Sequence, residues 1–406
     1  MEFLDRLLGA PTLDKLARDV TRELQGLGAQ DLQVDLALRE MTFRLHGGEM
    51  KLYLGNVLQD LRRSRRAARP ALLKRFLDGM LAPGNEMPTR YDEARPQLMP
   101  VVRRRDDMGI VALSALGATD DPARRFLPAT RALAGELVIA LVCDQPTSMA
   151  YVGERELSQW QVTFDQALDD ALDNLRGLPE HGGWQQIGPG VWSGEWGDSY
   201  DSSRILLPDL IHRVGVRDPV VSVPFRNALM LASADNEAGI ALMAQVIERH
   251  LDDTQRWLSF QLLRLDDRQW LPHAPLVAVD AWHLLNLRNS AAVNESQKEL
   301  LDALHARRGV DLSVASYRMM AREDLDTLSF SVWPEQVDTL LPHTEFIVFH
   351  KRGEDPAGPL LVPWPEAVAV VGELMEPTEH VPQRWRVRRF PDGAQFERLK
   401  ELAIAL

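Results

Sequence analysis

The chain has 406 residues, of which 45% are hydrophobic and 26% are charged, and its formal net charge is −13. This length is enough for two or three packed domains. No apolar run approaches the roughly 20 residues that a membrane-spanning helix needs. The single cysteine excludes an intrachain disulfide and a zinc site built on several cysteines.

The first hundred residues predict a helix, antiparallel strands and a second helix. Thr12 is the expected N-cap of the first helix. Apolar and polar residues alternate over 32–38, which is typical of a half-buried strand, and MTFRLHGGEMKLYLG predicts a hairpin that turns at Gly47-Gly48. The apolar face of the first helix comprises Leu13, Leu16, Ala17, Val20 and Leu24.

Positive charge is concentrated at the start of the chain. Residues 1–135 carry 22 Lys and Arg against 18 Asp and Glu, whereas the remainder carries 24 against 41. Two runs hold most of the excess, Arg62, Arg63, Arg65, Arg66, Arg69 and Arg103, Arg104, Arg105. The first run belongs to an amphipathic helix that Pro70 breaks or kinks, and its arginines are expected to face solvent.

Nucleic acid is not an expected partner of these arginines. No aromatic residues that could stack on bases are interleaved with the first run, and the overall charge of the chain is acidic. Attraction to an acidic surface, either of a partner or of the protein's own acidic half, is the alternative. Membrane insertion is not expected, and the acids in the N-terminal segment MEFLDRLLGAPTLDKL argue against a secretory leader. These features predict a soluble cytoplasmic protein.

The central part of the chain begins with a predicted connector. Residues 82–135 contain spaced prolines and few periodic apolar segments. An apolar strand at 136–143 contains Cys143, which is expected to be buried as a small hydrophobic residue. A short strand around 149–152 and a helix over 163–176 follow. Three tryptophans among glycines predict a hairpin packed on the core, and they are Trp184, Trp192 and Trp196.

The last 150 residues predict a further sheet with flanking helices. Strands are expected at 257–265, 275–280 and 345–350, helices at 295–307 and at the C-terminus, and a strand at 368–374 paired with one at 385–390. The segment LRNSAAVNES has the composition of a loop. The chain is therefore predicted to be α+β, with antiparallel or mixed sheets and flanking helices. The expected domains are 1–100, 136–285 and 295–406.

Four segments in order resemble the YtpQ-like family of uncharacterised bacterial proteins, over residues 32–66 and 136–250. They are Leu52-Tyr53-Leu54 followed by Asn56, the block 136–175 that closes on Asn174-Leu175, the polar group Asp198, Tyr200, Ser203 and Arg204, and the strand end Pro224-Phe225-Arg226. The family tends to place Asn before that arginine and Asp after it, whereas this chain has Phe225 and Asn227. The resemblance implies a relationship but no activity.

Motifs for catalysis are absent from the sequence. It contains no GxxxxGK[ST], GxGxxG, HExxH or GxSxG pattern, so neither a cofactor nor a metal site is expected and the catalytic residues are unknown. Four aspartates on the helix at 163–176 are attributed to its solvated face. A Ser-His-Asp triad assembled from distant positions stays open, because triads are defined by geometry.

One polar group is a candidate ligand site. It comprises Asp198, Tyr200, Asp201, Arg204, Arg226 and Asn227. An arginine at a strand end beside a helix N-terminus suits an anionic ligand, so Arg204 and Arg226 are expected to approach the same region. The alternative is structural, with Asp201 or Ser202 capping a helix that runs through Leu210.

The sequence favours a binding or interaction protein over an enzyme. Its partner would be a protein or an anionic small molecule. The alternative is a hydrolase that acts on an anionic small molecule or a phosphoester.

Overall fold

The computed structural model describes residues 12–36, 40–45, 48–54, 57–58, 61, 64, 66–81, 87–118, 127–145, 149–179, 182–251, 257–321, 327–351 and 358–404. Several predicted features lie outside the described residues, namely Arg62, Arg63, Arg65, Asn56 and the hairpin position Gly47. Of the first basic run, Arg66 is exposed, as predicted.

Helices and strands alternate along the described residues. The helices are α1 (Leu13–Gly26), α2 (Arg69–Leu81), α3 (Tyr91–Ala94), α4 (Arg105–Ala118), α5 (Glu154–Trp160), α6 (Phe164–Arg176), α7 (Pro208–His212), α8 (Glu237–Arg249), α9 (Val279–Arg308), α10 (Trp364–Val371) and α11 (Gly393–Leu402). In the part of the chain that the structure describes, none of them has the length and apolar character needed to cross a bilayer.

The strands build five sheets in the described residues. They are β1 (Gln30–Asp35), β2 (Glu40–Leu45), β3 (Gly48–Tyr53), β4 (Leu98–Arg104), β5 (Thr130–Ala134), β6 (Leu137–Asp144), β7 (Met149–Tyr151), β8 (Gly183–Gly188), β9 (Val191–Glu195), β10 (Pro219–Ser222), β11 (Met230–Ser233), β12 (Leu262–Asp266), β13 (Gln269–His273), β14 (Ser313–Val314), β15 (Arg318–Met320), β16 (Leu328–Pro334), β17 (Thr339–Pro342), β18 (Phe346–His350), β19 (Leu360–Pro363), β20 (Met375–Pro377) and β21 (Arg384–Val387).

Strand pairing is mostly antiparallel. The sheet orders are β1-β2-β3, β4-β6-β5 with β7 also on β6, β13-β12-β10-β11-β9-β8, β14-β17-β21-β20 and β15-β16-β18-β19. Parallel pairing occurs between β14 and β17 and between β16 and β18. The predicted α+β class, with antiparallel and mixed sheets flanked by helices, is confirmed.

The N-terminal helix and hairpin form as predicted. Thr12 caps α1 by accepting a hydrogen bond from the backbone N–H of Lys15, and the predicted apolar face packs on β2 and β3. β2 and β3 pair antiparallel from Glu40 to Leu45. The expectation of a half-buried strand over 32–38 is wrong at Val34 of the edge strand β1 and at Leu36 directly after it, because both are exposed.

The predicted connector at 82–135 is wrong, because it contains a buried strand and a helix. All seven residues of β4 are buried and pair with β6, and α4 follows directly. Pro100 does not prevent the strand, since β4 is an edge strand that pairs with β6 alone. Arg103 and Arg104 end this buried strand, so the second basic run is not a surface patch.

The six-stranded sheet has an apolar core on each face. Adjacent residues of a strand point to opposite faces, and Val220 packs with Met243 of α8 and Trp282 of α9, whereas Val221 packs with Ile211 of α7. Both layers are buried.

Helix α9 replaces two predicted elements. The strand expected at 275–280 and the loop LRNSAAVNES are wrong, because both contribute to one helix of 30 residues, about 45 Å long. Its first half packs Trp282 against the six-stranded sheet, and its second half packs Leu301 and Leu304 with Leu113 of α4. The buried amides between these apolar contacts are Asn289, Asn294 and Gln297.

The expected pairing of 368–374 with 385–390 is also wrong. Pro365 lies in the first turn of α10, and the buried residues Trp364, Ala367 and Val371 have helical spacing. β21 pairs instead with β17 and β20. The domain division stays a prediction. The first predicted boundary, at residue 100, falls within β4, and the second, between residues 285 and 295, falls within α9.

Candidate functional site

The polar block that follows β9 does not form the predicted helix through Leu210. A 3-10 turn covers Ser202–Leu206, and α7 then begins at Pro208. A residue that precedes proline is disfavoured in the α conformation, which breaks the helix at Leu207. The carboxylate of Asp201 caps neither element and instead accepts a hydrogen bond of 2.7 Å from the backbone N–H of Trp196.

Arg204 is buried and fully engaged inside the protein. Its Nη1 donates to Oδ1 of Asp198 at 2.8 Å and its Nη2 donates to Oδ2 of the same carboxylate at 2.5 Å. The guanidinium carbon lies 4.4 Å from the centre of the Trp196 ring. Burial opposes ionisation of Asp198, but the hydrogen bonds from Arg204 and from the backbone N–H of Tyr200, together with the charge of Arg204, outweigh it and lower the pKa of the carboxyl.

Tyr200 is likewise held by an internal partner. Its hydroxyl donates a 2.6 Å hydrogen bond to Asp144 at the end of β6. Burial, followed by this bond to a carboxylate, raises the pKa of Tyr200. The predicted residues Asp198, Tyr200, Asp201 and Arg204 therefore share a network of internal hydrogen bonds.

Arg226 and Asn227 lie on a turn that touches this network through its backbone. The Ser202 hydroxyl donates a 2.7 Å hydrogen bond to the Arg226 carbonyl. Phe225, one residue earlier, forms a bridge with Trp257. Arg226 is half-buried and Asn227 is exposed. Ser202 thus joins the turn of Arg226 to the polar block, while the guanidinium of Arg204 is bound to Asp198, and the expected approach of the two arginines stays a prediction.

The predicted tryptophan hairpin is confirmed. β8 and β9 pair antiparallel, and the rings of Trp184 and Trp196 meet edge to face with centroids 5.4 Å apart. The Trp184 indole N–H donates to the Leu210 carbonyl at 3.2 Å. The aromatic residues stabilise the polar block rather than forming an open stacking surface.

A second charged group lies where β4 passes into α4. The arginine–carboxylate cluster comprises Arg104, Asp106, Asp107, Glu136 and Arg226. The Arg104 side chain is 4% exposed, and its nitrogens lie 3.1 Å from both the Asp106 and the Glu136 carboxylates. Its Nη1 also donates to the Asn289 carbonyl of α9 at 3.0 Å.

Glu136 links this cluster to the six-stranded sheet. Its Oε1 accepts a 2.5 Å hydrogen bond from the hydroxyl of Ser259, and its backbone carbonyl accepts one from the N–H of Arg105. Burial raises the pKa of Glu136, although the charge of Arg104 and the bond from Ser259 act against that shift.

Asp107 is the carboxyl of the cluster that faces Arg226. Burial raises the pKa of Asp107. The positive charges of Arg226 and, to a smaller extent, of Arg104 act against that rise. A carboxyl whose pKa stays raised beside two guanidinium groups is strongly desolvated. The cluster therefore combines permanent positive charge with two carboxyls, those of Asp107 and Glu136, whose pKa burial raises.

Sequence reasoning missed Asp106, Asp107, Glu136 and Ser259. The run RRRDD carried a signal, because alternating strand geometry places neighbouring arginines on opposite faces. Arg103 indeed has other partners, since its Nε donates to the Tyr151 hydroxyl at 2.7 Å and its guanidinium lies over that ring.

The nearest approach to a catalytic triad lies beside α9. Glu345 accepts a hydrogen bond of 3.0 Å from the Ser329 hydroxyl, and its other oxygen is 3.2 Å from Nε2 of His283. The same His283 nitrogen lies 3.1 Å from the Thr327 carbonyl. The serine therefore donates to a carboxylate rather than to the imidazole, which is not the order that activates a nucleophile.

In the described ranges, no group of three or more His, Cys, Asp and Glu side chains is arranged to hold a metal ion. Cys143 is buried in β6, and burial raises the pKa of its thiol to about 12. This confirms the expectation of a buried cysteine on a strand.

Comparison with known proteins found a relative of part of the chain. A UPF0354 protein of Bacillus mycoides (strain KBAB4) is 30% identical over 115 residues, which are 27% of this chain and 43% of the relative. The chain thus matches less than half the length of this protein of an uncharacterised family. No family model matches the chain, and no solved structure is significantly similar. The similarity relates part of the chain to an uncharacterised bacterial family.

Proposed function

We propose that this chain is a cytoplasmic binding protein for an anionic small molecule, which the arginine–carboxylate cluster holds at Arg226. The observation that carries the proposal is the position of Asp107, a half-buried carboxyl of raised pKa beside Arg226 and Arg104. Strongly shifted carboxyls beside specific charges are enriched at functional sites. We further propose that the chain is a divergent relative of the YtpQ-like family.

The charges of the cluster favour an anion. Arginine stays protonated at any physiological pH, whereas burial raises the pKa of Asp107 and of Glu136. A phosphate or a carboxylate of lower pKa is a better partner for the guanidinium fork than a desolvated aspartate.

Access to the cluster is from the side of Arg226. Arg104 is enclosed, but Arg226 is half-buried and Asn227, the next residue, is exposed. The hydrogen bond from Ser202 fixes the backbone of this turn, which reduces the entropy lost on binding. Of the predicted site residues, Arg226 and Asn227 would contact the ligand.

The other predicted residues would support that turn. Asp198, Tyr200, Asp201 and Arg204 hold each other and the end of β9 through internal bonds. Substitution of one of these four residues would mainly lower the stability of the protein and would weaken anion binding as a consequence. The polar block and the cluster would then form one site with a rigid base.

Thermal unfolding with inorganic phosphate or succinate tests the proposal. The wild-type chain should gain stability with the logarithm of anion concentration, and Arg226→Gln should gain less while it keeps most of its own stability. Arg217→Gln, at an exposed arginine just before β10, is the control and should behave like the wild type. Equal stabilisation of Arg226→Gln and the wild type, or none in either, would refute the site.

The second candidate is a hydrolase of phosphoesters. The raised pKa of Asp107 favours this reading, since a protonated carboxyl is suited to deliver a proton to a leaving oxygen. Arg226 would then stabilise the charge on the reacting phosphoryl group.

Hydrolysis of p-nitrophenyl phosphate separates the two candidates. An enzyme should lose about 100-fold or more in kcat on Asp107→Asn, whereas a binding protein shows no turnover in the wild type. The Arg217→Gln variant again serves as the control. Turnover that survives in Asp107→Asn would assign the activity to other residues.

A further inference from the structure

A cavity of about 180 Å³ lies where the C-terminal strands divide between two sheets. β14 pairs with β17 in one sheet, and β15, a few residues later, pairs with β16 in the other. The chain between β14 and β15 therefore crosses from one sheet to the other. Such a division leaves a crevice between the two sheets.

The cavity is lined by residues that carry hydrogen-bond donors and by apolar groups. The donors belong to Ser313, Ser316, Arg318 and Thr339, and the apolar groups to Ala315, Val332 and Pro334. Ser316 and Arg318 line the cavity, whereas Tyr317 between them does not, as expected from the alternation of an extended chain. No carboxylate is among these lining residues, so the polar side chains of the wall are hydroxyls and the positively charged Arg318.

Three of these donors are available to a ligand. Within the described part of the chain, the side chains of Ser313, Ser316 and Arg318 have neither a hydrogen bond nor an ion pair. The Thr339 hydroxyl already donates to the Val337 carbonyl at 3.0 Å, which leaves its oxygen as an acceptor.

The wall behind the donors is fixed by a buried arginine. Arg384 donates to the Ala315 carbonyl at 2.9 Å and to the Leu340 carbonyl at 3.3 Å. The backbone of β14 and β17 is therefore held in place before any ligand enters. A site arranged in this way loses little conformational entropy on binding.

We propose that this cavity binds a small organic anion. Arg318 and the hydroxyls of Ser313 and Ser316 hold its carboxylate or phosphate, and its carbon atoms lie against Val332 and Pro334. The volume corresponds to about six water molecules at about 30 Å³ each, which suits a molecule of three or four carbons. The site shares no residue with the arginine–carboxylate cluster and does not depend on it.

Calorimetric titration of the full chain with glycerol 3-phosphate and with lactate tests the site. Binding to the wild type should weaken at least about 10-fold in Arg318→Gln, because a hydrogen-bonded charge is removed. Ser316→Ala should weaken it to a smaller extent. The response to the two probes also distinguishes a phosphate ligand from a carboxylate one.

Two control variants make the result specific. Arg217→Gln removes an exposed arginine elsewhere and should leave the titration unchanged, and Arg226→Gln should leave this binding intact even if it abolishes binding at the cluster. Arg318 is exposed, so its substitution does not threaten folding. Equal affinity of Arg318→Gln and the wild type for both probes, or no binding by the wild type, would overturn the proposal.

Discussion

Arg384 and Gln297 are joined by a 2.5 Å hydrogen bond between Nε and Oε1, although 87 positions separate them in the chain. Arg384 is fully buried, and its remaining bonds go to the backbone carbonyls of Asn294, Ala315 and Leu340. Burial lowers its pKa to about 10. A single side chain of β21 thereby connects α9 with two strands of the C-terminal sheets.

Arg384→Lys should lower the free energy of unfolding by about 3 kcal/mol. A lysine ammonium cannot reproduce the planar fork that reaches four oxygens, and buried carbonyls would lose their donors. Urea denaturation followed by circular dichroism measures the change. Arg388→Lys is the control, because Arg388 is exposed and its ion pair with Glu376 is solvated, so it should change stability by less than about 0.5 kcal/mol. Similar losses in both variants would contradict the assigned role.

Gly109→Ala should destabilise the protein although alanine favours helices. A Cβ atom at Gly109 in α4 would overlap the backbone carbonyl of Val381, so the helix or the facing loop must move. We expect a loss of about 2 kcal/mol, against a propensity gain of about 1 kcal/mol. Gly393→Ala, in α11, has open space around its Cβ and should be neutral or stabilising. A lower melting temperature in the second variant only would refute this packing.

The ion pair of Asp198 and Arg204 should make stability depend on acid pH. The pKa of Asp198 is below its ordinary 3.8 in the folded protein, so the pair stabilises fully above that value and loses its effect as pH falls through the folded pKa. Asp198→Asn should therefore cost about 3 kcal/mol at pH 7 and progressively less below pH about 4. Melting curves of both proteins from pH 7 to pH 3 measure the difference, and a constant difference would contradict the pair.

Cys143 should resist thiol reagents in the folded protein. Its side chain is buried, and a pKa of about 12 leaves almost no thiolate at neutral pH. Labelling with 5,5′-dithiobis(2-nitrobenzoic acid) should therefore be slow in buffer and fast in 6 M guanidinium chloride. Rapid labelling of the native protein would contradict the burial of β6.

Local patterns were sufficient to predict the elements whose sequence and packing agree. α6 begins after Thr163, which forms a capping box with Gln166, and its apolar spacing matches the buried residues Ala167, Ala171 and Leu175. The same holds for α1 and for the β2–β3 hairpin. In each case a single apolar stripe, or a single alternation of apolar and polar residues, predicts the element, and no contact with a distant residue has to be known.

Distant partners explain the elements that were missed. β4 contains Pro100, which its position as an edge strand paired with β6 accommodates, and it ends with arginines whose partners include Tyr151 and Glu136. The polar centre of α9 has a loop composition, yet the amide of Asn289 donates to the Leu258 carbonyl at 3.1 Å and Gln297 receives Arg384. Polar side chains satisfied by other elements cannot be distinguished from solvated ones in a single sequence.

The candidate site shows the same contrast. Asp198 and Arg204 are six positions apart, so their pairing could be predicted from the sequence. Asp107 and Arg226 are more than a hundred positions apart, and the relationship between them depends on how β4, α4 and β10 pack. The predicted residues therefore include Arg226 of the arginine–carboxylate cluster, whereas its carboxyls Asp106, Asp107 and Glu136 were not predicted.

The 30 residues of α9 make the unfolding of its two neighbours interdependent. Trp282 belongs to the core of the six-stranded sheet, and Leu301 and Leu304 belong to the core shared with α4 and β14. If either core unfolds, one half of α9 loses its packing partners. The other half is then a shorter helix, which is less stable. A cut within α9 would therefore yield two fragments that each retain an incomplete core, and heat should unfold both regions in one calorimetric transition.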